Sequence, residues 1–226
     1  VGSSRDAVSI LAFTVKNVAR PTGLSRLGLP CPLTGTGMAF PWSVVRAAPL
    51  ASANLVEDMQ LGLDLALAGS AAQFCESARV SGPLPPGAGA ALGQRTRWEH
   101  GHLRTALAVA PMHVLRALRG GRFGAFVLAL DVLVPPLALL FLAIGGALAL
   151  ALAIGALARV DVSLAVQLFA IELALASGAV LAAWWRFARL EVGVRELACV
   201  PRYVLWKIPL YVRFLFAPQR AWVRTE

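Results

Sequence analysis

The sequence predicts a mixed globular segment joined to a membrane-embedded helical block, and three observations carry that reading. Hydrophobic residues fill 58% of the 226 positions and the mean hydropathy is +0.69, too apolar for an ordinary soluble domain. The excess is uneven. Residues 1–122 read as globular, whereas Phe123 to Trp185 is almost entirely apolar, broken by Asp131, Arg159, Asp161 and Glu172. Finally, the net charge of +9 gathers on the flanks of that block. Arg104, Arg116, Arg119 and Arg122 precede it, and Arg186, Arg189, Arg195, Arg202, Lys207, Arg213, Arg220 and Arg224 follow it. Both flanks are therefore expected on the cytoplasmic side. The basic residues do not form an aromatic-interleaved surface, so nucleic acid is not an expected partner.

Taken in order, Val8 to Val15 has the β-branched content of a strand but also fits the start of a helix on a membrane surface, and the helix is preferred. Arg20 to Leu33 holds three prolines and two glycines and reads as a surface loop. It leads to Thr34-Gly35-Thr36-Gly37, where the glycines permit close approach of backbone to a ligand and the threonines offer hydroxyls to a sugar. A plain turn is the competing reading. Leu55 to Leu67 has helical spacing, Gly69 is its stop, and Glu57 and Asp58 fall in its first turn. The helix dipole favours a carboxylate there by roughly 0.3–1 kcal/mol, which suits an ionised base. Acids serving only as N-terminal helix charges are the alternative.

Ser81 to Gly93, with three prolines and four glycines, reads as a flexible loop leading to a helix that opens at Gln94. Helical spacing puts Gln94, Arg97 and Trp98 on one face. Arg97 offers a planar fork for a phosphate, Gln94 adds amide hydrogen bonds, and Trp98 supplies a flat surface on which a sugar stacks. A polar patch beside a core tryptophan is the plainer reading. Arg95 and Glu99 are spaced as a supporting ion pair. His100, His102 and His113 lack nearby carboxylate or thiol partners in sequence and read as structural, so no metal ligands are assigned. Cys31, Cys75 and Cys199 form no Cys-x-x-Cys group and read as buried thiols.

Leu103 to Leu118, bent at Pro111, suits an amphipathic helix on the membrane interface, with Phe123 to Leu130 as its lead-in. Asp131 to Ala158 is long enough for one span, kinked by Pro135-Pro136, and Val162 to Trp185 returns as a second after the turn at Arg159-Val160-Asp161. Two spans bring the basic tail back to the cytoplasmic side. Glu172, mid-span, is costly there and marks either a functional path or a contact between helices. Trp184 and Trp185 fit an aromatic belt, and Pro201 to Ala217 mixes aromatic and basic residues as an interfacial segment does.

The order of a Gly-Thr-Gly loop, the Glu57-Asp58 pair opening a helix, Gln94-x-x-Arg97-Trp98 and then hydrophobic spans resembles the membrane-bound family 2 glycosyltransferases, cellulose synthase and hyaluronan synthase among them. The resemblance implies a C-terminal fragment of an α/β, GT-A-like catalytic domain over residues 1–103, followed by an interfacial helix and lead-in over 104–130, two transmembrane helices over 131–185 and a basic cytoplasmic interfacial segment over 186–226. It implies an inverting hexosyltransferase of polysaccharide or glycolipid synthesis in the inner (plasma) membrane, multi-pass, with its catalytic part cytoplasmic. Asp58 would be the general base and Glu57 its orienting neighbour. Gln94 and Arg97 would bind the donor pyrophosphate, while Trp98, Thr36 and Gly35 would meet the acceptor. Trp222 and Thr225 map onto a gating element, with a plain cationic tail as the alternative.

The family's donor half normally binds the nucleotide sugar and, through an Asp-x-Asp element, a divalent metal (Mg or Mn). No Asp-x-Asp occurs among Asp6, Asp58, Asp64, Asp131 and Asp161. The missing half is therefore an expected partner, beside membrane, nucleotide sugar and a saccharide or lipid acceptor, and this fragment alone is expected to be inactive. The chain opens at Val1 without a charged n-region and h-region, so no signal peptide is expected. The rival reading is a non-catalytic membrane scaffold or export subunit that kept the fold without the chemistry.

Overall fold

At Cys31 two extended segments meet without building a sheet. The Cys31 N–H bonds to the Ala72 carbonyl at 3.0 Å. Pro30 and Pro32 flank it and have no N–H to donate, so the pairing stops at one bond. The computed structural model describes residues 4–35, 37–50, 54–80, 82 and 87–219, and no strand occurs among them. This corrects the α/β, GT-A-like fold class: the described part is helical.

The helices are α1 (Ser4–Thr14), α2 (Arg20–Arg26), α3 (Trp42–Ala47), α4 (Glu57–Leu67), α5 (Gly87–Ala108), α6 (Ala110–Arg119), α7 (Phe123–Leu133), α8 (Leu137–Ala158), α9 (Ser163–Ala183), α10 (Val194–Leu197), α11 (Val200–Trp206) and α12 (Ile208–Phe216). Wider π-type turns extend α1 over Val15–Ala19 and α9 over Trp184–Ala188. Several boundaries differ from expectation. Arg20 to Leu33 is not all loop: α2 follows without a break on the π-type turn Val15–Ala19, a widening of the kind that accommodates the N–H missing at Pro21. Helix α5 opens at Gly87, seven residues before Gln94, so the end of the expected loop is helical. Pro111 starts α6 after a break instead of bending one continuous helix. Pro135-Pro136 likewise separates α7 from α8 outright.

The chain divides into two units. In the unit built from α2–α7 and the chain from Leu210 onward, the core lies between three helices. Val56, Met59, Leu63 and Ala66 of the α4 stretch recur at helical spacing and meet Ala110 and Ala117 of α6 and Ala125, Leu128, Ala129 and Val132 of α7. The alanines allow close approach of the helix backbones. Helix α4 ends in a Schellman turn: Gly69 takes φ +88°, its N–H bonds to Ala66 O at 3.1 Å, and Ser70 N–H bonds to Leu65 O at 2.8 Å. The Leu67 carbonyl left over accepts from Arg122 Nη1. Arg20 locks α2 to α7, its Nε donating to Asp131 Oδ1 at 2.7 Å.

The other unit joins α1 to the segment Leu137–Pro209. Ala7 and Leu11 pack with Ala188 and Val192, and Trp184 Nε1 donates to Val192 O at 2.7 Å. Helices α8 and α9 pair across a tight turn in which Ser163 N–H bonds to Asp161 Oδ1 at 2.9 Å, a bond that holds the Asp161 carboxyl below its ordinary range. Leu137–Ala158 and Ser163–Ala188 are each long and apolar enough to cross a membrane by length and composition. Little of either helix is buried.

Candidate functional site

The first turn of α4 carries Glu57 and Asp58 side by side, Glu57 exposed and Asp58 half-buried. The glycine loop lies directly on them. Gly35 takes φ +83°, and a Cβ placed there would stand 3.1 Å from Asp58 Oδ2. A side chain at this point would need both a strained backbone and space that the carboxylate occupies. Gly35, Glu57 and Asp58 together line a cavity of about 140 Å³. Its wall is continued by Met38, Pro49 and Leu50 on one side and by Gln60, Leu61 and Asp64 along α4 on the other. Ligand pockets usually measure roughly 300–1,000 Å³, so this space takes the end of a ligand and no more.

Helix α5 meets the start of α4 at its waist. A Cβ on Gly101 would come within 2.8 Å of Val56 Cγ1, so only glycine lets the two backbones approach here. Asn54 ties the crossing, its Nδ2 reaching Thr105 Oγ1 at 2.8 Å and Gln60 Oε1 at 3.2 Å. Residues 94, 97, 98, 101 and 105 share one stripe of a helix. Trp98 therefore stands about 4.5 Å, and Gln94 about 10 Å, along the α5 axis from the Gly101 crossing. Gln94 and Arg97 are half-buried and Trp98 is 38% exposed. They do not line the cavity beneath the loop. Thr36, Trp222 and Thr225 lie outside the described residues.

Two positioning contacts were not foreseen. Asp64 on the cavity wall accepts from His113 Nε2 at 2.9 Å, and the other ring nitrogen of His113 meets Val109 O at 3.0 Å. Asp64 and His113 come from helices 49 residues apart in sequence, so no local spacing announced the pair. Asn54 could have been noticed, being a helix-capping residue type just ahead of the acidic pair. The other two histidines bond to backbone groups. His102 Nε2 bonds to the Val132 carbonyl at 3.0 Å, and His100 takes the Gln219 N–H on Nδ1 at 3.1 Å while Nε2 donates to Leu210 O at 3.0 Å. The thiols are less uniform than expected. Cys31 is buried, but Cys199 is half-buried and Cys75 exposed, which corrects the reading of all three as buried.

The match to known proteins decides the family. The family model described as glycosyl transferase family group 2 matches residues 10–187, most of the chain and all of the cavity. The chain belongs to glycosyl transferase family group 2. Comparison with curated proteins and with solved structures gave no match. As a family group 2 chain it has a glycosyl transfer function. The divalent metal expected of the complete enzyme does not fit the residues present. Among the described residues no three His, Cys, Asp or Glu side chains gather as ligands, and the Asp64 carboxylate is already engaged by His113.

Proposed function

We propose that this chain is the acceptor-side and membrane part of an inverting glycosyltransferase of the cellulose synthase and hyaluronan synthase kind, moving a hexose from a nucleotide sugar to a growing polysaccharide or glycolipid. The observation that carries this is the Asp58 carboxylate held against the bare backbone of Gly35 in a cavity open enough for the end of an acceptor. Asp58 is the general base. It takes the proton of the acceptor hydroxyl as that oxygen attacks the anomeric carbon, while the bond to the donor phosphate breaks on the opposite face and its electron pair leaves with the nucleoside diphosphate. Glu57 orients Asp58, Gly35 and Thr36 border the acceptor end, Gln94 and Arg97 hold the pyrophosphate, and Trp98 supports the acceptor sugar.

The donor site and its Mg or Mn are supplied by a polypeptide half outside this sequence. Helices α8 and α9 span the inner membrane, with the carboxylates on the cytoplasmic side. Helix α6 lies along the lipid surface, since it turns Met112, Leu115 and Leu118 outward beside Arg116 and Arg119. Trp222 and Thr225 belong to a gating element. The test uses the natural enzyme together with its donor half. Asp58→Asn should lower sugar transfer by a factor on the order of 10² to 10⁴ and leave nucleotide binding within about twofold. Turnover that survives the change removes Asp58 as base, and a complete assembly with no transfer activity at all favours the non-catalytic scaffold.

A further inference from the structure

The stretch between the glycine loop and α4 carries a side-chain pair that the reaction above does not use. The chain leaves the cavity wall at Met38, forms α3, and rejoins the wall at Pro49 and Leu50, so α3 belongs to the cavity rim. Trp42 and Arg46 sit one turn apart on α3 and share a face. Trp42 is 74% exposed. With Ser43 and Ala47 the two form one solvent-open face of α3, and no acidic residue is among the described residues that line it. Among the described residues Arg46 enters no ion pair. An exposed indole beside an exposed guanidinium pairs a stacking surface for a sugar with a planar, bidentate donor for a phosphate.

We propose that Trp42 and Arg46 form an outer acceptor subsite for a phosphate-bearing sugar, the indole stacking on the ring and the guanidinium pairing with the phosphate. This rests on the reading of the neighbouring cavity as the acceptor end. Of the two acceptor classes proposed above, it selects the phosphate-bearing glycolipid or sugar phosphate over the neutral polysaccharide. The hydroxyl to be glycosylated sits at Asp58, and the rest of the acceptor runs out over the rim formed by α3.

Binding of small probes to the whole chain in neutral-lipid nanodiscs tests this without any donor. The probes are citronellyl phosphoglucose for a lipid-linked source, glucose 1-phosphate for a free one, octyl glucoside, and inorganic phosphate. At least one phosphate-bearing sugar should bind about tenfold more tightly than octyl glucoside or inorganic phosphate, and whichever of the two binds better names the source. Trp42→Ala and Arg46→Gln should each weaken it about fivefold or more, with partial recovery in Trp42→Phe and Arg46→Lys. The proposal is overturned if octyl glucoside or inorganic phosphate binds as tightly, or if the variants bind like the parent chain. It is equally overturned if Trp42→Ala lowers only adsorption to empty anionic vesicles, which makes the pair a membrane contact. Asp58→Asn separates the two ideas: probe binding should persist in it, so loss of the base assignment leaves the subsite standing, and loss of the subsite leaves the base untouched.

Discussion

Cys31 and Cys75 are the same residue type in opposite surroundings, and their chemistry should differ accordingly. Burial pushes the Cys31 thiol up, with the nearby Asp131 charge adding to it, whereas the Ser77 hydroxyl beside the exposed Cys75 brings its thiol down. The thiolate is the reactive form, so a maleimide at pH 7.5 should modify Cys75 at least about ten times faster than Cys31. Cys75→Ser should remove that fast phase, and equal rates at the two sites contradict the assignment. The same contrast holds for the site residues. Asp58 and Gly35 could each be picked out from residue type and position, yet nothing in the 22 residues between them said that one lies on the other.

At the scale of elements, the Arg20–Asp131 pair is the contact whose energetics can be worked through. Both residues belong to one unit, with side-chain exposures of 26% and 11%. Burial raises the Asp131 carboxyl above its ordinary value, while the Arg20 guanidinium pulls it partway back. A carboxyl whose folded value is raised favours the fold fully below its unfolded value, and that contribution is lost as pH rises through the folded one. Arg20→Met removes the compensating charge, so its cost should grow with pH from acid toward neutral, reaching about 3 kcal/mol near pH 7. Arg20→Met with Asp131→Asn should recover much of the loss and flatten the pH dependence. Melting curves of the purified protein between pH 4 and pH 7.5 check this, and a deficit that shrinks as pH rises is the contrary result. Helix ends were uneven in legibility. Gly69 closes α4 as its residue type foretold, because a positive φ is cheap for glycine alone. The prolines misled: Pro111 begins a helix, a role that its residue type shares with breaking one, and Pro21 lies within helical chain directly after a π-type turn.

For the whole molecule, two helices of membrane length joined by the Arg159–Asp161 turn place both basic flanks on one side when they span. A phosphatase reporter that folds only outside the cytoplasm should be active when inserted between Arg159 and Asp161 and inactive when fused after Ala217. Activity in both positions refutes the two-span topology. What the amino-acid order determined unaided was local or compositional: the apolar block and its charged borders, the amphipathic helix bearing the acidic pair, and the resemblance to family 2 glycosyltransferases, whose family the match sustains. Periodicity and hydropathy are written along the chain, so they survive without coordinates. Only the tertiary structure decided that the described part is helical, that Gly35 covers Asp58, and that His113 holds Asp64 on the cavity wall. Those contacts join residues tens of positions apart through the packing of α4, α5 and α6, and packing of that kind leaves no period or spacing in a linear sequence.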